Sequence, residues 1–167
     1  FGRCVVSLGQ FVGAAGTVDL LIGLPGFASF IVAFTTDGAS SYTNALTFSS
    51  PQLGSVPWSS SLGLGESAAV IGTANNPNLA LGSSRVIVAG LPGYDGSSTN
   101  IGGVVVFELF AGAPNAPYAP RSRSLVPGHN GFHHALSAND RAGAAVAALG
   151  DVNGDAVADI AIGVPGQ

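Results

Sequence analysis

The stretch AGAAVAALGDVNGDAVADIAIGVPG, residues 142–166, decides how the whole chain is read. Two short apolar runs, one ending in Leu149-Gly150 and one ending in Gly163-Val164-Pro165, flank the nine residues Asp151–Asp159. The runs are too short for ordinary helices, and the second is rich in Ile, so they read as strands of a hairpin. Between them the oxygen-bearing side chains Asp151, Asn153 and Asp155 alternate, and Asp159 follows at the ninth position.

The same frame occurs twice more, which makes the chain a repeat protein. FGRCVVSLGQ…VDLLIGLPG spans Phe1 to Gly26, and LGESAAVIGT…RVIVAGLPG spans Leu64 to Gly93. Each copy has Gly at its second position (Gly2, Gly65, Gly143), an apolar–Gly pair closing the first strand (Leu8-Gly9, Ile71-Gly72, Leu149-Gly150) and a Pro-Gly closing the second. The closing prolines, Pro25, Pro92 and Pro165, stand about 70 residues apart, too long for ankyrin or tetratricopeptide units and suited to a four-stranded blade with generous loops. At such a strand end the missing N–H of proline costs nothing.

Third strands are expected at Phe30–Phe34 and Val104–Phe107, with their alternate residues packed against a neighbouring unit, and a weaker fourth strand around Ala45–Phe48. The stretches 49–63 and 111–140, dense in Pro, Ser, Gly and Asn, read as surface loops. The organisation expected is residues 1–63 as a first unit, 64–141 as a second and 142–167 as the start of a third. The fold class is all-β, with antiparallel blades in about two and a third repeats. A chain opening on Phe1 and stopping inside a unit predicts a segment of a larger propeller or assembly.

Composition agrees with a turn-rich β protein. Among 167 residues 47% are hydrophobic, only 8% are charged, and there are 25 Gly and 10 Pro, against roughly 25% charged residues in an ordinary soluble domain. Lysine is absent, and the five cations, Arg3, Arg85, Arg121, Arg123 and Arg141, form no cluster in a chain of net charge −4. Nucleic acid is therefore not an expected partner. Gly, Pro or a polar residue breaks each apolar run before it could span a bilayer, so no membrane insertion is expected. Cys4, the single cysteine, reads as a small buried hydrophobe.

The units resemble the FG-GAP repeat, the blade of integrin α-subunit-type β-propellers. Phe1-Gly2, Leu8-Gly9 and Gly23-Leu24-Pro25 carry the resemblance in the first unit, and Ala142-Gly143, Leu149-Gly150-Asp151 and Gly163-Val164-Pro165 carry it in the third. The second matches less closely, through Leu64-Gly65, Ile71-Gly72 and Gly90-Leu91-Pro92. The resemblance implies antiparallel blades, an extracellular or cell-surface setting and calcium in the loops that keep their acidic residues.

The residues of the third loop point to calcium in their own right. Ca²⁺ takes six to eight hard oxygens, and Asp151, Asn153, Asp155 and Asp159, with the backbone carbonyl of Val157 and a water or second carboxylate oxygen, would supply them. Three of the nine acidic residues fall within this window, a crowding that a divalent cation offsets. Ala156 stands at position 6, where backbone φ is often positive. The first loop keeps only Asp19, expected to cap a turn, and the second keeps Asn75, Asn76 and Asn78 as turn formers; neither is expected to bind calcium.

Other candidates read as structural. His129, His133 and His134 sit in a loop without cysteine, Glu66 and Glu108 have no paired carboxylate at a defined spacing, and no G-x-S-x-G elbow occurs. Asp95 reads as a turn residue. With no N-x-S/T sequon in the chain, glycosylation of this segment would be O-linked, on the Ser/Pro-rich loops. The function expected is a non-enzymatic, calcium-stabilised recognition or adhesion module that meets a protein or glycan through its loops. The alternatives are a structural subunit of an extracellular filament, coat or wall assembled with copies of itself, and the accessory propeller of a secreted hydrolase or lyase.

Overall fold

The computed structural model describes residues 2–11, 18–27, 29–34, 44–49, 60–72, 84–110, 122–128 and 132–167; over 29–34, 44–46 and 48–49 and at 60 the description is of the backbone. The protein is all-β. β1 (Val5–Gly9), β2 (Asp19–Leu24), β3 (Ser29–Phe34) and β4 (Asn44–Ser49) form one four-stranded sheet in chain order. β5 (Ala68–Gly72), β6 (Ser84–Gly90), β7 (Val104–Phe110) and β8 (Ser122–Leu125) form a second, and β9 (Ala145–Gly150) pairs with β10 (Asp159–Gly163). Every pairing within the sheets is antiparallel. Among the described residues the sheets close into no barrel or ring, and no helix is long and apolar enough to cross a membrane.

The repeated sequence marks have repeated physical causes. Each first hairpin carries an irregularity where the apolar–Gly pair sits, between Ser7 and Gly9, between Val70 and Gly72, and opposite Ala148 and Gly150. In the first and third, φ is +63° at Gly9 and +71° at Gly150, as a glycine-dependent bulge requires. The leading glycines share a left-handed backbone, with φ of +70° at Gly2, +94° at Gly65 and +85° at Gly143. A side chain there would be strained. Pro25, Pro92 and Pro165 all lie just past the ends of β2, β6 and β10, as expected.

One constraint joins successive units. A Cβ at Gly23 would run into the carbonyl of Gly65, and one at Gly90 into the carbonyl of Gly143. The leading glycine of each following unit is thus seated directly on a strand glycine of the unit before it. The same carbonyls accept hydrogen bonds from equivalent positions: Cys4 Sγ donates to Gly65 O at 3.4 Å, and Ser67 Oγ donates to Gly143 O at 2.7 Å. Cys4 is accordingly half-buried, and burial pushes its thiol pKa up.

Around this seat lies the core. Leu8, Phe11 and Leu21 of the first unit pack with Leu64, Ile87 and Phe107 of the second, each large side chain contributing about 1.5–3 kcal/mol by leaving water. Val105 and Phe107 belong to the same cluster, as expected for the third strand; the side chains of Phe30–Phe34 lie outside the described residues. Arg85 on β6 adds a polar clamp, donating to Leu8 O at 2.7 Å and Gln10 O at 2.9 Å with its guanidinium 5.5 Å from the Phe11 ring centroid. Glu66 bridges Arg3 at 3.9 Å and Arg141 at 3.6 Å; with both arginines exposed, such pairs contribute at most about 1 kcal/mol each.

The described parts of the stretches expected to be surface loops hold ordered elements; residues 50–59, 111–121 and 129–131 lie outside the described residues. β4 runs to Ser49, Leu62 ends a 3-10 turn at Ser60–Leu62 and is 6% exposed, and Leu62 O accepts the Gly93 amide at 3.0 Å. Within 111–140, β8 pairs with β7, Val126 is buried, and buried Asp140 accepts the Ser137 amide at 2.6 Å. Ser-Arg-Ser-Leu has no apolar alternation because β8 is a short edge strand whose order comes from its partner's hydrogen bonds, and charged residues suit an edge. β7 also runs three residues beyond Phe107, to Phe110.

Because a carbonyl fills the space above Gly90, Gly90→Ala should destabilise the protein by about 1–3 kcal/mol in chemical denaturation. Gly26→Ala is the control. Nothing lies within 4 Å of a methyl added at Gly26, so its unfolding midpoint should stay put or rise slightly.

Candidate metal centre

The β9–β10 hairpin holds the Asp151–Asp159 loop in a tight curl made by its own side chains. Asp151 Oδ1 accepts the amides of Gly154 at 2.7 Å and Asp155 at 3.1 Å, and its Oδ2 accepts that of Ala156 at 2.9 Å. Asn153 Oδ1 accepts the Asp155 amide at 2.9 Å, and Asp155 Oδ1 accepts the Val157 amide at 2.8 Å. Asn153 Nδ2 donates to Asp155 Oδ2 at 3.2 Å. Each acidic residue therefore bends the backbone around itself.

Two residues carry the curl past its tightest point. Gly154 has φ of +83° and Ala156 has φ of +65°, so position 6 takes the left-handed conformation anticipated for it. For alanine this costs on the order of 1 kcal/mol, which the amide hydrogen bonds to Asp151 and Asp155 offset. The loop from Asp151 to Val157 is exposed along its length.

Asp159 closes the base, its Oδ2 accepting the Val152 amide at 2.9 Å. The first unit makes the same closure: Asp19 Oδ2 accepts the Phe11 amide at 2.8 Å. The equivalence is one of register, since Asp19 pairs with Gly9 and Asp159 with Gly150. Asp19 thus caps a turn, as expected. Its surroundings differ, because Asp19 is fully buried and Phe11 is 7% exposed, whereas Val152 is 67% exposed. Arg85 holds Leu8 O, Gln10 O and the Phe11 ring where the first strand ends, a role that sequence reasoning missed; the available signal was a lone arginine in an otherwise apolar strand.

The amide of Ala156 above all, joined by those of Gly154, Asp155 and Asn153, holds the Asp151 carboxyl below the usual aspartate range, against an opposing desolvation second in weight only to the Ala156 hydrogen bond. The oxygens of Asp151, Asn153, Asp155 and Asp159 are the hard donors that calcium prefers. Among the described residues, though, no three His, Cys, Asp or Glu side chains stand together as a ready-made metal cluster. The carboxylates here are turned to backbone amides.

The remaining candidates are dispersed. His133 and His134 are exposed, with His134 Nε2 3.2 Å from the Gln167 amide nitrogen, and His129 lies outside the described residues, as do Asn75, Asn76 and Asn78. Asp95 is a turn residue, its Oδ1 accepting the Asn100 amide at 2.7 Å. A groove of about 390 Å³ on the second sheet is lined by Val86, Val106 and Leu125 with Glu108 and Arg123.

A carboxyl whose pKa is depressed by folding stabilises the fold above its unfolded pKa, about 3.9 for aspartate, and loses that contribution as pH falls through the folded value. An NMR titration should accordingly give Asp151 a midpoint below that of a model peptide. The amides of Gly154 and Ala156 should lose their hydrogen-exchange protection as Asp151 protonates.

No protein-family model matches the chain, and no curated protein is significantly similar to it.

Proposed function

We propose that this chain is a calcium-stabilised, non-catalytic recognition or adhesion module of the extracellular or cell-surface kind, built from blades like those of FG-GAP propellers. The observation that supports this best is the Asp151–Asp159 loop. It is curled, exposed and pinned at both ends, it has a left-handed turn at position 6, and it carries four oxygen-bearing side chains within nine residues of a charge-poor protein. An ion would draw in the carboxylates of Asp151, Asp155 and Asp159, the side chain of Asn153 and the carbonyl of Val157, within the six to eight oxygens that calcium takes. Its work is mechanical, tying β9 to β10, and the first unit has no need of it because Arg85 supplies positive charge at the matching turn.

Thermal denaturation of the intact chain with increasing Ca²⁺ tests the reading. Stability should rise by RT ln(1 + [L]/Kd), about 2.7 kcal/mol at a hundredfold excess over Kd. Asp155→Ala should remove the calcium dependence, and Asp19→Asn should leave it in place whatever it does to baseline stability. A melting curve unmoved by millimolar calcium would sink the proposal.

A further inference from the structure

The β9–β10 turn contains an Asn-Gly pair, Asn153-Gly154, in which a backbone nitrogen meets the least hindrance in attacking the side-chain amide of the residue before it. Glycine has no side chain to obstruct the approach, and nothing lies within 4 Å of where a Cβ would stand on Gly154. The reaction is deamidation. The Gly154 nitrogen bonds to Asn153 Cγ as its proton passes to water or hydroxide, the Cγ–Nδ2 bond breaks, and Nδ2 leaves as ammonia with a proton taken from water. Water then opens the resulting succinimide at either carbonyl, leaving aspartate or isoaspartate. No oxidant or reductant takes part.

In the folded loop every reacting group is already engaged. The Gly154 N–H, whose proton must leave before the nitrogen attacks, donates to Asp151 Oδ1 at 2.7 Å. A carboxylate acceptor makes that bond charge-assisted and stronger than a neutral one. Asn153 Oδ1 accepts the Asp155 amide at 2.9 Å, and Asn153 Nδ2 donates to Asp155 Oδ2 at 3.2 Å. Attack turns the flat side-chain amide into a tetrahedral carbon, which draws Oδ1 and Nδ2 away from these partners. The two carboxylates are themselves fixed, Asp151 Oδ2 by the Ala156 amide at 2.9 Å and Asp155 Oδ1 by the Val157 amide at 2.8 Å.

We infer that Asn153 is a modification site held in check: Asp151 and Asp155 guard the Asn153-Gly154 pair against deamidation, and release of either carboxylate commits Asn153 to conversion into aspartate or isoaspartate. The product changes the turn for good. Aspartate adds a carboxylate to a stretch that already holds three acidic residues. Isoaspartate routes the main chain through the side-chain carbon, which lengthens the loop and throws its alternating oxygens out of phase. An opening of the turn is thereby recorded as a covalent change. None of the guarding bonds involves an ion, so the guard stands apart from the calcium reading.

Mass spectrometry of the intact chain, incubated at neutral pH and physiological temperature with EDTA and then digested with trypsin, tests it. Trypsin cuts after Arg141, and Asn153 is the only asparagine between there and Gln167, so the mass gained when its NH2 becomes OH is assigned by fragmentation. The folded wild type should convert about tenfold or more slowly than the same chain unfolded in urea, since hydrogen bonds of this strength must open first. Asp151→Ala and Asp155→Ala, each checked for its fold by circular dichroism, should approach the unfolded rate. Asp159→Ala is the control: it removes the bond to the Val152 amide that closes the base of the loop but touches neither reacting residue, and it should stay near the wild-type rate. One reading needs no variant. Across sub-denaturing urea concentrations, hydrogen exchange of the Gly154 amide and conversion of Asn153 should rise together. A wild type that converts as fast folded as unfolded overturns the inference. So do slow conversion in both folded guard variants, Asp159→Ala matching them, or conversion that rises while the Gly154 amide stays protected.

Discussion

A backbone carbonyl resting on a glycine Cα is the contact on which the rest of this structure depends. At Gly23 and Gly90 the following unit comes so close that no side chain fits, and the carbonyl that makes the approach is held by a thiol or a hydroxyl from the same sheet. Close approach fixes the spacing between units, and the spacing determines which side chains interlock. Leu8 and Leu21 reach Ile87 and Phe107 because the backbones beside them touch. The left-handed turn at the leading glycine is the other half of the device, since it aims the carbonyl at its seat. Two glycines with different physical duties therefore recur in the first two units, one for conformation and one for space.

Much of this could be read from the residues. Gly2, Gly65 and Gly143 and the three prolines mark the frame, and short runs such as DLLIGL and SRVIVAG could only be strands between turns. The positive φ of Ala156 was foreseeable because a nine-residue loop with alternating oxygens must curl at its sixth position. What could not be read was whatever depends on a partner. β8 has no apolar alternation of its own, and Leu62 looks like one more residue of a Ser-rich loop until the Pro-Gly turn at Gly93 is laid over it. Gln10 and Arg85 are ordinary polar residues in sequence, and only the stacking brings the guanidinium to the turn. Strand edges and contacts between units are long-range facts, and a one-dimensional pattern records them weakly.

The first and third turns show one loop design under two regimes. Both are closed by an aspartate that accepts an amide two residues past the bulge glycine. In the first unit the aspartate is buried and apolar Phe11 lies under Arg85, so the acidic positions in between have been dispensed with. In the third the turn is exposed, backbone amides donate to Asp151 and Asp155 to hold it, and its charges stay in water.

The Arg85 clamp also bears on how the chain comes into being. Synthesis delivers the first unit's β1 and its turn well before β6, and the guanidinium that holds Gln10 O lies 75 positions further along. The first unit's sheet can pair its strands on emerging, but its apolar face around Leu8 must wait, exposed, for the second unit. Non-local contacts of this kind slow folding and lengthen the time in which sticky surface is available to other chains. A nascent chain of this protein would be most in need of chaperone protection in the interval between the completion of β4 and the arrival of Arg85.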